Sequence, residues 1–167
     1  MIQAQVKWWV DRYVTAMIKE LTRLRYSDAG LIDSAWAYEL TADMRFDLGR
    51  DAGDFEVWMK YQQIAVVKKS TLTIREGYAW DGLTCWNDSP ANMIAGLPHD
   101  FGYQCGGIEN TPFDRLEVDG WLRDLARSRK AWDAKIIYAG VRLMGWKFYG
   151  KGKGDVEILG FPKAIVR

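Results

Sequence analysis

The chain has 167 residues, of which 49% are hydrophobic, 27% charged and 14% aromatic, so it can form a packed core and is not intrinsically disordered. Its 23 basic and 22 acidic residues nearly balance, which argues against a dedicated nucleic-acid binder. Charges at Lys7, Asp11 and Arg12 argue against a signal peptide, and no stretch reaches the roughly 20 apolar residues of a membrane-spanning helix.

The N-terminal residues carry apolar side chains at helical spacing with charges between them. This pattern predicts an amphipathic helix over residues 1–26, appended to a single domain over residues 27–167. The apolar face of the helix would pack on the domain, lie on a membrane surface or enter the groove of a partner. An intracellular regulator that binds another protein through this helix is therefore one functional alternative.

Residues 35–76 show the pattern of a small antiparallel β-sheet. Residues 55–61 alternate between apolar and polar side chains, and residues 71–75 form a β-branched run. Gly49 and the aspartates after it predict a hairpin connection. We expect three or four strands here and a further short strand over residues 156–159.

After Gly77 the pattern changes to that of a three-helix unit over residues 89–148. The second helix has the clearest start, with Thr111 as the N-cap and Pro112 at the first helical position. Residues 131–148 are apolar nearly all round, which predicts a central and buried helix. The predicted fold class is therefore α+β.

The residues suited to chemistry cluster on the first two of these helices. His99 is the single histidine of the chain, Asp100 follows it directly, and Tyr103 lies one helical turn further on. On the second helix, Arg115 and Asp119 are spaced i, i+4 and share a face. A short connection favours antiparallel packing of the two helices, in which Asp119 approaches His99.

Such a cluster has a catalytic and a structural interpretation. A carboxylate that holds one nitrogen of a histidine ring fixes the tautomer and lets the other nitrogen act as general base. A second carboxylate could hold a hard cation or orient a water molecule. The alternative is a polar network in the core without a catalytic role. Asp81, in a loop after a predicted strand, either caps the next turn or faces the His99 helix.

Four segments of the chain form a longer pattern. They are Gly77-Tyr-Ala-Trp-Asp81-Gly-Leu-Thr84, Leu97-Pro-His99-Asp100-Phe-Gly-Tyr103, Arg115-Leu-Glu-Val-Asp119 and Tyr138-Ala-Gly-Val-Arg142-Leu-Met-Gly145-Trp146. In order and spacing they resemble a bacteriophage and prophage family, domain of unknown function 1353, over about residues 60–148. The resemblance implies a phage protein made in the cytoplasm of a bacterial host, with incorporation in the virion as one alternative. It implies no activity.

A second similarity concerns the motif alone. His99-Asp100-x-x-Tyr103 on one helix, with Asp119 on the next, is similar to the phospholipase A2 site. The similarity implies that His99 activates water and that Asp119 orients His99. It also implies that Asp100 holds Ca²⁺, which would stabilise the oxyanion, and that Tyr103 braces the second helix.

The resulting prediction is a phage-encoded, calcium-dependent ester hydrolase that acts on lipid, in the virion or at lysis, with Tyr103, Arg115 and Asp81 as supporting residues. The alternative is a non-catalytic component of the tail, neck or internal core of the particle. Expected partners are other phage structural proteins, a lipid or membrane surface and further copies of the chain, but not nucleic acid. We expect no cofactor other than Ca²⁺.

Overall fold

The computed structural model describes residues 18–20, 38–80, 89–106, 111–150 and 156–160. Its strands are β1 (Ile18–Glu20), β2 (Tyr38–Leu40), β3 (Met44–Asp47), β4 (Asp54–Met59), β5 (Gln62–Lys68), β6 (Thr71–Ile74), β7 (Ala79–Trp80) and β8 (Val156–Leu159). Its helices are α1 (Pro90–Cys105), α2 (Arg115–Ser128) and α3 (Ala134–Met144), and a short 3-10 helix follows over Gly145–Lys147. Antiparallel sheets combined with three helices confirm the predicted α+β class.

The larger sheet has five strands in the order β3-β6-β5-β4-β8, and every neighbouring pair is antiparallel. Alternation along β4 buries Phe55 and Val57, and β6 buries Leu72 and Ile74 in the same way. The sheet predicted within residues 35–76 is therefore confirmed, but the hairpin connection predicted at Gly49 is wrong, because β3 pairs with β6 and not with β4. The short strand predicted near the end of the chain is β8, which extends the sheet by pairing with β4.

A smaller sheet of three strands, in the order β1-β2-β7, includes part of the N-terminal segment. Ile18–Glu20 is extended and pairs antiparallel with Tyr38–Leu40. The amphipathic helix predicted over residues 1–26 is therefore wrong at Ile18–Glu20, and its remainder lies outside the described residues. The spacing of apolar residues reports only a local preference, whereas pairing with a distant strand satisfies the backbone groups of β1.

The helix starts are set by side-chain caps. The Ser89 hydroxyl caps α1, and Pro98 lies inside that helix without ending it. Asp114 caps α2, because its carboxylate accepts hydrogen bonds from the backbone amides two and three residues later. The cap predicted at Thr111 is wrong, since an aspartate nearer the helix satisfies the same free amides.

α3 contradicts the prediction of a central, buried helix over residues 131–148. Its buried residues are Ala134 and Ile137, and α3 packs against α2. The other side of the segment carries exposed apolar residues: Trp132, Ile136, Leu143, Met144, Trp146 and Phe148. The apolar composition indicated burial on all sides, but the described fold covers one side. No helix among the described residues is long and apolar enough to cross a membrane.

α1 and α2 approach each other closely at Gly102. A Cβ atom at this position would lie 2.7 Å from both γ-carbons of Val118 and 3.2 Å from the ring of Trp121. Val118 and Trp121 are completely buried, so neither can move without disturbing its own neighbours. The contact brings Asp119, the residue after Val118, close to α1.

Replacing Gly102 with Ala is expected to lower the free energy of unfolding by about 1–3 kcal/mol, because the added methyl group overpacks this contact. Gly120→Ala in α2 is the matched control, since its Cβ would meet only Arg123 Nη2 at 4.0 Å. The control is expected to stabilise the protein by up to about 1 kcal/mol, because Ala is favoured over Gly inside a helix. Denaturant unfolding measures both changes, and equal stability of the two variants would contradict the close approach.

Candidate functional site

His99 of α1 and Asp119 of α2 meet between the two helices, as their spacing predicted. His99 Nε2 lies 3.3 Å from Asp119 Oδ1. On the other side of the ring, His99 Nδ1 lies 3.1 Å from Asp100 Oδ1. The imidazole is therefore held between two carboxylates, one from each helix.

Asp119 is the centre of the site and is completely buried. Its Oδ1 also accepts a hydrogen bond from the Tyr103 hydroxyl at 2.6 Å. Its Oδ2 accepts hydrogen bonds from Arg142 Nη1 at 2.7 Å and from Arg115 Nε at 3.4 Å. Side chains from α1, α2 and α3 thus converge on one carboxylate, which couples the site to the packing of all three helices.

Burial and hydrogen bonding shift the pKa values of His99 and Asp119 in opposite directions. Burial raises the pKa of Asp119, but hydrogen bonds from His99, Tyr103 and Arg142 outweigh it and hold the pKa below its ordinary value. Burial lowers the pKa of His99, but Asp100 and Asp119 outweigh it and raise the pKa. Asp119 is therefore ionised at neutral pH, and His99 keeps its proton to a higher pH than an exposed histidine.

Tyr103 is held in place by contacts on several sides. Its ring centroid lies 4.1 Å from that of His99 and 5.4 Å from that of Tyr149. Gly145, after α3, leaves room for the hydroxyl, because a Cβ there would collide with it. Burial and the hydrogen bond to Asp119 raise the pKa of Tyr103, so it stays neutral and donates.

The solvent edge of the described site is formed by Arg115, which is 21% exposed, together with Asp100 and Arg142. The side chains of Asp100 and Arg142 are 17% and 34% exposed, whereas that of His99 is 5% exposed. Asp81 lies outside the described residues, so its supporting role stays a prediction. The structure therefore brings together His99, Asp119 and the other site residues predicted on α1 and α2.

Asp100, the predicted calcium ligand, lies beside His99, with its Oδ1 3.1 Å from His99 Nδ1. Ca²⁺ takes roughly six to eight oxygen ligands. Within the described ranges there is no group of three or more His, Cys, Asp or Glu residues that could hold a metal ion. Both oxygens of Asp119 are already engaged by donors. The described residues alone supply too few ligands for Ca²⁺, so its binding, with further ligands from outside the described residues, stays a prediction for experiment.

Raising the pH is expected to remove stability that protonated His99 contributes. Asp100 and Asp119 raise the pKa of His99 in the folded chain above its unfolded value of about 6.5. The contribution is therefore fully present below about pH 6.5 and is lost as the pH rises through the folded-state pKa. Denaturant unfolding across this range should show a fall in the free energy of unfolding that is absent in His99→Gln. Equal pH dependence in both proteins would contradict the raised pKa.

Two residues of the site were missed in the sequence. Arg142 binds Asp119 and Gly145 accommodates Tyr103. Arg142 lies 23 positions from Asp119, so no helical spacing links the two residues. Both residues lie in the fourth segment that resembles the phage family, and this position was the one indication in the sequence that they belong to the site.

Comparison of the chain with models of protein families, with curated proteins and with solved structures found no match. The resemblance to the phage family and the similarity to the phospholipase A2 motif therefore stay predictions. The geometry provides a buried histidine between two carboxylates, one of which is also bound by a tyrosine and two arginines. The function therefore has to follow from the chemistry that this arrangement allows.

Proposed function

We propose that this chain is a phage-encoded ester hydrolase that acts on lipid, with His99 as the general base and Asp119 as the residue that orients it. The main support is the contact of His99 Nε2 with the buried Asp119 at 3.3 Å, which leaves Nδ1 of the neutral imidazole to accept a proton once the Asp100 carboxylate, 3.1 Å from it, has turned away. An ionised carboxylate behind a histidine fixes the tautomer and stabilises the imidazolium. The similarity to the phospholipase A2 motif implies the same roles for His99 and Asp119.

In the proposed reaction a water molecule attacks the carbonyl carbon of the ester while His99 Nδ1 takes one of its protons. Asp119 stabilises the imidazolium, because its lowered pKa keeps it ionised. Collapse of the tetrahedral intermediate breaks the bond to the alcohol oxygen, which receives the proton from Nδ1. The products are a carboxylic acid and an alcohol, and His99 returns to its starting state.

Asp100 determines when His99 can act. Its Oδ1 lies 3.1 Å from His99 Nδ1, in the position that the attacking water has to take. The carboxylate must therefore turn away from the ring in the reactive state. The Asp100 side chain is 17% exposed, so we expect the rotation to carry the carboxylate towards solvent.

Calorimetric titration of Ca²⁺, with fatty-acid release from phospholipid vesicles followed in the same samples, tests the proposal. The wild type should bind Ca²⁺ and release fatty acid, and Asp100→Asn should lose binding and about 100-fold in rate. Glu117→Gln is the matched control, because Glu117 pairs with Arg50 away from the site. A wild type that releases no fatty acid, with or without Ca²⁺, would contradict the proposal.

A structural role in the phage particle is the second candidate, and the burial of the cluster supports it. His99 is 4% exposed and Asp119 is completely buried. Such a network specifies how α1, α2 and α3 pack without performing any chemistry. In the tail, neck or internal core of a virion, the site would only hold the three helices rigidly together. This alternative predicts a loss of thermal stability in His99→Gln and no turnover in the wild type.

A further inference from the structure

The side of α3 that faces away from α2 presents an unusual amount of apolar surface. We define the α3 face by six residues that are 52–85% exposed: Trp132, Ile136, Leu143, Met144, Trp146 and Phe148. Ile136 and Leu143 are two turns apart on one side of the helix, opposite Ala134 and Ile137. Clustered apolar exposure of this kind marks an interaction site rather than an ordinary surface.

Within residues 130–150, the exposed charged side chains all carry one sign. Lys130, Lys135 and Lys147 are exposed. Asp133, the single acidic residue between positions 130 and 150, is buried and accepts a hydrogen bond from α1. The segment therefore offers solvent a set of large apolar side chains with a basic border.

We propose that the α3 face docks the protein on the surface of an anionic lipid bilayer. α3 contributes Ile136, Leu143 and Met144 to this face, and the residues just before and after it contribute Trp132, Trp146 and Phe148. Apolar and aromatic side chains on one side of such a segment, bordered by lysines, are typical of helices that lie in the membrane interface. The apolar side chains enter the boundary of the acyl chains, and the lysines contact anionic headgroups. This inference rests on the proposed function, since a lipid hydrolase needs a lipid surface. It identifies an anionic bilayer as the surface that presents the substrate.

Charge favours a bilayer over two other occupants of the α3 face. A second copy packed face to face about a two-fold axis would bring Lys135 and Lys147 towards the same lysines of the other copy. Residues 1–26 carry five basic and two acidic side chains, so they match the basic border poorly. An anionic bilayer pairs with that border without repulsion.

The α3 face lies next to the candidate site. Arg142 and Gly145, on the inner side of the same segment, contact Asp119 and Tyr103. Trp146 follows Gly145 directly and is 63% exposed. Docking through this face therefore places the site within about one helix diameter, roughly 10 Å, of the lipid.

Co-sedimentation with vesicles of phosphatidylglycerol or phosphatidylcholine tests the docking. The wild type is expected to bind phosphatidylglycerol at least about 10-fold more strongly. Changing Leu143 and Trp146 together to Ser should weaken that binding about 10-fold or more. Changing Lys135 and Lys147 together to Gln should weaken it about 10-fold and leave phosphatidylcholine binding unchanged.

Tyr61→Ser is the matched control, because Tyr61 is a 98% exposed aromatic residue in the turn between β4 and β5. It should bind both lipids as the wild type does. Unchanged binding after the Leu143 and Trp146 substitutions, or equal binding to both lipids, would overturn the docking. So would the loss of a dimer, rather than of vesicle binding, when the α3 face is changed.

The His99→Gln variant separates the docking from the proposed function. It should bind phosphatidylglycerol vesicles as the wild type does and release no fatty acid. Hydrolysis of a short-chain ester by a wild type that binds no vesicles would overturn the docking alone. Vesicle binding by a wild type that hydrolyses no ester would overturn the proposed function and leave the docking supported.

Discussion

Replacement of Asp119 with Asn is expected to lower the free energy of unfolding by about 3–5 kcal/mol, the usual cost of breaking a buried ionic cluster. Asn keeps the size of the side chain but loses the charge that balances Arg115 and Arg142. Its amide group would also place hydrogens opposite donors where an oxygen now accepts. Because Asp119 is completely buried, water cannot replace what is lost.

Asp124→Asn is the matched control, since it makes the same substitution in the same helix. Asp124 pairs with Arg123 near the surface, where their side chains are 29% and 22% exposed. Such a pair contributes at most about 1 kcal/mol. Denaturant unfolding of the wild type and both variants at one pH measures the difference. A loss in Asp119→Asn no larger than in Asp124→Asn would show that the cluster does not hold the helices together.

Replacement of His99 with Gln is expected to reduce kcat for ester hydrolysis by about 10²–10⁴-fold, the range that a positioned general base supplies. Gln can accept a hydrogen bond from water but cannot take its proton at neutral pH. KM should change little, because His99 acts on the attacking water rather than on the bound ester. Initial rates on a short-chain ester measure both constants.

Asn92→Ala shows whether lost stability alone would lower the rate. Asn92 is buried in α1 and donates a hydrogen bond to Asp133 at 3.2 Å, away from His99. Its removal is expected to cost about 1–3 kcal/mol of stability and to leave kcat unchanged. A retained kcat in Asn92→Ala beside a lost kcat in His99→Gln would identify His99 as catalytic. Equal losses in both variants would assign the effect to folding.

The fold was predictable where a local pattern and the tertiary environment agree. β4 alternates because one side of the sheet is core, so its apolar residues report its structure directly. The burial of α3 was not predictable in this way, because an apolar segment has the same sequence whether neighbours cover the helix on all sides or on one side. The helix predicted at β1 was wrong because the partner strand of β1 is distant in the chain, and pairing with that strand outweighs the helical spacing of the apolar residues.

The candidate site was predictable to the extent that helical spacing determines it. His99 and Tyr103 lie one turn apart on α1, and a short connection brings Asp119 on α2 against them. Arg142 was not predictable in this way, because it reaches Asp119 through the packing of α3. The depth of His99 in the core also depends on tertiary packing, and this depth is what gives the structural alternative its support.

The most direct test of the account is fatty-acid release from phosphatidylglycerol vesicles by the purified wild type, with His99→Gln and Asn92→Ala measured in parallel. The wild type and Asn92→Ala are expected to release fatty acid, and His99→Gln is expected to do so at a rate lower by about 10²–10⁴-fold. Absence of release by a folded wild type that binds the vesicles would contradict the proposed function. The cluster around Asp119 would then be a structural network, and the function would lie in the surface that the protein contacts.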